Sequence, residues 1–134
     1  MKRTILMTAI MLIMSTIAFA QKDTAPAKIA FPDGVTHDFG EFSEADAVQK
    51  CTFTFKNVGG QPLVINQAVA SCGCTVPEYT KAPVAPGETG KITVTYNGKG
   101  KFPGHFKKTI TVRTNGAVEM TRIYITGNMT EAKK

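Results

Sequence analysis

The sequence contains no tryptophan, only two histidines and only three cysteines. Two histidines, at positions 37 and 105, cannot by themselves fill a histidine-rich metal cage. No Gly-rich turn opens a helix, so no phosphate cradle is present. No Gly-x-Ser-x-Gly run exists, which removes the strained elbow that exposes a serine nucleophile. Apolar residues never recur at helical spacing over a useful length, which excludes a helical bundle. The basic residues are scattered except for Lys99, Lys101, Lys107 and Lys108. A nucleic-acid surface would need such a cluster interleaved with stacking aromatics. Here the bland reading is a solvated basic edge that discourages strand-to-strand aggregation. No nucleic-acid partner is expected.

What remains is enough for one domain. The chain has 134 residues and 43% hydrophobic positions, which argues against wholesale disorder. Its first twenty residues read as a secretory signal peptide. Lys2 and Arg3 make a positive start, the segment from Thr4 to Ile17 is almost wholly apolar, and Ala18-Phe19-Ala20 supplies a small-residue cleavage site. The run is short for a membrane span of ~20 residues. No cysteine follows Ala20 to carry a lipid. Cleavage after Ala20 would lower the net charge from +6 to +4, since Lys2 and Arg3 leave with the segment. The expectation is an exported protein, periplasmic or secreted, with no membrane span after cleavage. Residues 21–27 form a flexible polar lead-in, and the domain runs from 28 to 130.

Within that domain the pattern has period two. Short strands are expected at Lys28–Phe31, and at Asp38–Phe42 continuing the same edge after the turn at Pro32-Asp33-Gly34. Val48–Asn57 places Cys51, Phe53 and Phe55 on one face. Pro62–Ala70 follows the Gly59-Gly60 turn. Gly90–Asn97 puts Ile92, Val94 and Tyr96 inward, Phe106–Thr114 does so with Ile110 and Val112, and Met120–Met129 with Ile123 and Ile125. Asn115-Gly116 has the composition of a two-residue hairpin turn. About seven short antiparallel strands in one domain suggest an all-β, immunoglobulin-like β-sandwich. A small closed barrel is the alternative.

The unusual feature is Ser71-Cys72-Gly73-Cys74-Thr75, which sets two thiols one glycine apart. In an exported chain, cysteines tend towards disulfides. Three cysteines permit at most one internal bridge. A Cys72–Cys74 bridge needs a tight turn, which Gly73 permits. Such small rings would be easily reduced. A hairpin centred near Gly60 would pair Cys51 with residues 68–70. The Gly98–Gly104 loop would bring His105 to the same end, given a strand over Val76–Thr80. Cys72, Cys74, Cys51 and His105 are then a candidate metal set for Cu(I) or Zn(II), since thiolates suit both. Glu41, Glu44 and Asp46 would flank it, and Tyr79 and Phe102 would flank the Cys-Gly-Cys loop. The bland readings are a structural bridge for Cys72 and Cys74, a core thiol for Cys51 beside Phe53 and Phe55, and an exposed ring for His105. His37 beside Asp38 suits a strand-entry turn better than a catalytic pair.

Several runs resemble one bacterial family. They are Asp38-Phe39-Gly40, Phe55-Lys56-Asn57 with Gly59, Pro62-Leu63-Val64-Ile65, Ser71-Cys72-Gly73-Cys74-Thr75, Pro86-Gly87-Glu88, Gly104-His105-Phe106 with Lys108, Ile110 and Val112, and Thr114-Asn115. The family is the domain of unknown function numbered 1573, and the similarity runs from about Phe31 to Gly127. The resemblance implies an exported protein with an immunoglobulin-like fold, similar to sperm-protein-like and cilia-associated β-sandwich modules. It implies no activity, and its marker covers Cys72 and Cys74 but not Cys51 or His105. The resulting expectation is a non-enzymatic module, without a cofactor, that binds a protein or cell-envelope partner, with Cys72, Gly73 and Cys74 as the candidate site. The alternative is thiol-based metal or redox handling by the same loop. If the loop only binds a partner, replacing either cysteine by serine should change stability and not binding. If it holds a metal, both variants should lose it.

Overall fold

The structure, a computed structural model, describes residues 25–132. The signal-peptide reading of residues 1–20 therefore lies outside the described residues. The strands are β1 (Ile29–Ala30), β2 (Thr36–Ser43), β3 (Val48–Asn57), β4 (Ile65–Ala70), β5 (Thr75–Tyr79), β6 (Thr89–Asn97), β7 (Gly104–Thr114) and β8 (Met120–Thr130). They form two four-stranded sheets, ordered β1-β3-β6-β5 and β2-β8-β7-β4. The all-β sandwich expected from period-two alternation is what the chain adopts. Among the described residues the helical content is one 3-10 turn over Glu44–Asp46, capped by the Ser43 hydroxyl accepting from Ala45 N–H. No helix in them is long and apolar enough to cross a membrane.

The alternating residues meet between the sheets. Phe55, Ile92 and Val94 from one sheet and Ile110, Val112, Ile123 and Ile125 from the other are fully buried. Each such side chain contributes about 1.5–3 kcal/mol by leaving water. At one end the layers are joined by rings. Tyr96 stacks on Phe106 with centroids 4.1 Å apart, and Phe42 meets Phe106 edge-on at 5.9 Å. Gly127 keeps room for them, because a Cβ there would lie 2.8 Å from the Phe106 ring.

Two sequence expectations differ from the structure in their strand partners and a third in its turn. The strand after Pro32 does not continue the β1 edge. The turn at Phe31–Gly34, where Gly34 takes φ +94°, carries the chain across to the other sheet. There β2 runs parallel to β8. β3 and β4 do not form a hairpin: β3 pairs with β6, setting Cys51 opposite Val94, while β4 pairs with β7. Alternation assigns a residue to a face and says nothing about which strand lies beside it. Asn115-Gly116 is not a two-residue turn either, since the β7–β8 connection spans residues 115–119. Gly116 has no positive φ, and a Cβ on it would press on the Ala27 carbonyl. The Asn115 amide accepts from Val64 N–H at 2.8 Å and donates to Pro62 O at 3.1 Å, tying this loop to the start of β4.

The end of the lead-in is anchored. Ala27 is 3% exposed, its carbonyl accepts from Ala117 N–H, and Ala25 O accepts from Gly60 N–H. Beside it Asn57, at 0% exposure, knits three segments together. Its amide nitrogen donates to Gln61 O at 2.7 Å and Val84 O at 2.9 Å. Its oxygen accepts from Gly59 N–H at 2.9 Å and Lys28 N–H at 3.3 Å.

Candidate functional site

Cys72 and Cys74 are joined in a disulfide whose Cα atoms lie 5.3 Å apart, inside the usual span. The pair sits where the chain leaves β4, an edge of one sheet, and crosses to β5, an edge of the other. Backbone hydrogen bonds hold this crossover on every side. Ser71 N–H donates to Thr109 O at 2.9 Å, Thr75 N–H to Cys72 O at 3.1 Å, and Asn97 N–H to Cys74 O at 2.7 Å. Each sulfur also faces a donor. Cys74 N–H points at Cys72 Sγ at 3.2 Å. The Thr75 hydroxyl lies 3.8 Å from Cys74 Sγ, and it is the donor because the bonded sulfur carries no proton. Thr75 is buried, and Cys74 packs against the core while Cys72 takes no part in that packing.

The other candidate residues do not join this pair. Cys51 points into the core and is 7% exposed; burial pushes its thiol up to about 11. It lies in the row of Val94 and Pro77, three residues along the strand from the Asn97 row that holds Cys74. At ~3.3 Å per residue that is about 10 Å. His105 is exposed at the start of β7 opposite Asn128, on the outer face of the β2-β8-β7-β4 sheet. Among the described residues no three or more His, Cys, Asp or Glu side chains converge as a metal set. Tyr79 lies at the far end of β5, its hydroxyl 3.5 Å from Asn66 O, and Phe102 is 96% exposed in the loop after β6. Glu44 and Asp46 lie on the 3-10 turn, where the Glu44 carboxylate accepts from Ala132 N–H. The basic cluster is divided: Lys107 stacks over Tyr124 at 4.5 Å on the outer face, Lys108 is half-buried, and Lys99 and Lys101 are in the loop after β6.

His105 instead lines an open groove of about 440 Å³ with Asp38, Glu41, Thr126 and Asn128. The Asn128 amide donates to Glu41 at 3.4 Å. Sequence reasoning expected Glu41 to flank a set that included His105 but missed Asp38, Thr126 and Asn128, which join them only through the register of three strands.

It also missed the state of the sheet edges. Asn57 N–H donates to Glu88 O, so odd-numbered β3 residues bond to β6 and even-numbered ones turn their N–H and C=O outward. β1 covers only Lys56 and its neighbour. Val48, Lys50, Thr52 and Thr54 therefore have no strand beside them among the described residues. The other edges are shorter or interrupted. By the same alternation Thr75, Pro77 and Tyr79 face outward on β5; Thr75 N–H is taken by Cys72 O, and Pro77 has no N–H. On β4 Asn66 O receives the Tyr79 hydroxyl, and the outward positions Ala68 and Ala70 are a shorter open stretch among the described residues. β2 is interrupted by a bulge between Asp38 and Glu41, where Asp38 accepts from Gly40 N–H at 2.8 Å.

The model of the family described as "Protein of unknown function (DUF1573)" matches residues 31–129. The chain belongs to this family. No curated protein matches the chain. Among solved structures, this DUF1573 member is similar to a protein of unknown function from Porphyromonas gingivalis W83, with a TM-score of 0.62 and 15% identity over 80% of this chain. It spans about half of that longer chain, 48%. The ASH / PapD-like domain 7 of human CEP192 gives a TM-score of 0.59 at 10% identity, over 80% of this chain and 87% of that one. The YadV chaperone gives 0.51 at 15% identity, over 81% of this chain and 54% of that one. At these identities the likeness is one of fold: a PapD-like, immunoglobulin-like sandwich.

Proposed function

We propose that this DUF1573 member is an exported, non-enzymatic module that binds an extended segment of a protein partner along the free edge of β3. The observation that carries the reading is the row of four outward-facing backbone positions at Val48, Lys50, Thr52 and Thr54. Strand addition draws its affinity from such a row and its specificity from alternate side chains. An edge left unpaired over four such positions, a longer open row than β4 offers, has a place for a guest strand. The fold neighbours named as a PapD-like domain and a chaperone are compatible with a binding role. Export rests on the N-terminal sequence, and the cell envelope is the compartment where the partner is sought.

The test is selection of a random peptide library on the folded chain and on Thr52→Pro. Position 52 turns its N–H away from β6. Proline there removes an outward donor and leaves the β3–β6 bonds in place. Peptides of alternating pattern should be enriched on the natural chain and lost on the variant. Enrichment that survives Thr52→Pro places the partner elsewhere, and no enrichment on either chain rejects the reading.

A further inference from the structure

We propose that the Cys72–Cys74 disulfide is a thiol–disulfide exchange site that oxidises dithiols of other exported proteins. A bridge across one intervening residue closes almost no chain and so constrains the unfolded state little. The crossover is held without it, by the backbone bonds of Ser71, Cys72, Cys74 and Thr75 to each other, to Thr109 and to Asn97. A bond that holds little together can open and close while the fold persists. The sulfurs are also equipped for both leaving steps, with a fixed N–H aimed at Cys72 Sγ and a buried hydroxyl at Cys74 Sγ.

Both cysteines are half-buried, and packing sets the order of events. Cys74 is the sulfur on the core side, so an incoming thiolate attacks Cys72 Sγ. The new bond joins the substrate sulfur to Cys72. The Cys72–Cys74 bond breaks, and Cys74 leaves as a thiolate with the Thr75 hydroxyl donating to it. The substrate's second thiolate then attacks its own sulfur in the mixed disulfide. Cys72 leaves as a thiolate that keeps the Cys74 N–H. The substrate dithiol has lost two electrons and become a disulfide. The pair has gained them and takes up the two protons the substrate thiols released. A low-molecular-weight disulfide such as oxidised glutathione returns the pair to its starting state by the reverse exchange. The buried Cys51 thiol stays outside the cycle.

The experiment uses the full oxidised chain, folded, with a reduced synthetic peptide carrying two cysteines. Intact masses should show the chain gaining two hydrogens as the peptide loses two, with melting still cooperative. A bridge that resists the peptide until the chain is denatured overturns the proposal. The order of attack is read from single variants treated with oxidised glutathione. Cys74→Ser, which leaves Cys72, should form the mixed disulfide at least about tenfold faster than Cys72→Ser. Equal or reversed rates overturn the assignment of Cys72 as the attacked sulfur. Should a variant not fold, peptide mapping of the mixed disulfide trapped on the natural chain at low pH reads the same point. None of these outcomes depends on the β3 edge.

Discussion

Replacing Asn57 by alanine tests whether the sandwich depends on one buried amide. Among the described residues Lys28 N–H and Gly59 N–H, both in half-buried bonds to its oxygen, have no other acceptor, so both are orphaned at once. Val84 O keeps the Leu63 N–H at 2.8 Å and is not the source of the cost. An orphaned buried donor costs about 1–3 kcal/mol. Two give a loss near 3 kcal/mol if water reaches one of them, within a domain stability of about 5–15 kcal/mol. At ~4 °C or more per kcal/mol for a domain of this size, melting should fall by roughly 10 °C. Urea unfolding followed by circular dichroism should show the midpoint falling with an unchanged slope, since the buried area hardly changes. Asn66→Ala, at an exposed amide, sets the baseline. A loss below about 1 kcal/mol relative to that baseline would refute the reasoning, because the orphan penalty would then be absent.

Other outcomes follow from the same structure. Gly90→Ala should cost about 1–3 kcal/mol in chemical denaturation, because its Cβ would overlap the fully buried Phe55 ring and the core has no slack. Cys51 should ignore a thiol reagent at neutral pH in the folded chain and react once urea unfolds it; native labelling at the unfolded rate would show the burial to be wrong. Its raised value also has a sign for stability. The unfolded thiol ionises near 9.0 and the folded one near 11, so between them the unfolded state binds fewer protons. Stability from this group is intact below pH 9.0 and declines as pH rises towards 11, a slope that Cys51→Ala should remove.

The faces of the strands were legible in the sequence, and their neighbours were not. Cys51, Phe53 and Phe55 alternate with threonines and lysine, and all three are buried as alternation requires. The same alternation is silent on whether β3 lies beside β4 or β6. That choice is made by packing between distant segments, and a hairpin drawn across Gly59-Gly60 put Cys51 beside the wrong strand. Gly59 answers to a different constraint, since a Cβ on it would strike the backbone at Pro26 and Ala27. Asn57 carried no signal of its own, because an asparagine after a strand fits an ordinary turn. Its burial depends on β1 and the Val84 segment arriving from elsewhere in the chain. The Cys-Gly-Cys loop was found for a simpler reason: a ring closed within three residues is local, and local geometry is what a sequence states most directly.

The two proposed sites share one end of the molecule, which couples their tests. Asn97 pairs with Val48 on one side and donates to Cys74 O on the other. Cys74 and the start of the open edge are thus two interstrand spacings apart, about 10 Å, and an added strand stands about 5 Å further out. A segment added antiparallel to β3 ends with its C-terminus beside Val48. From there about five extended residues, at ~3.3 Å each, reach the disulfide. A reduced peptide with an edge-binding segment followed by two cysteines should therefore be oxidised faster when at least about five residues separate them than when they adjoin. Thr52→Pro should abolish that advantage and leave untouched the slower oxidation of a two-cysteine peptide without the segment. An advantage that persists in Thr52→Pro would show that the disulfide draws nothing from the edge, and the two sites would then act apart.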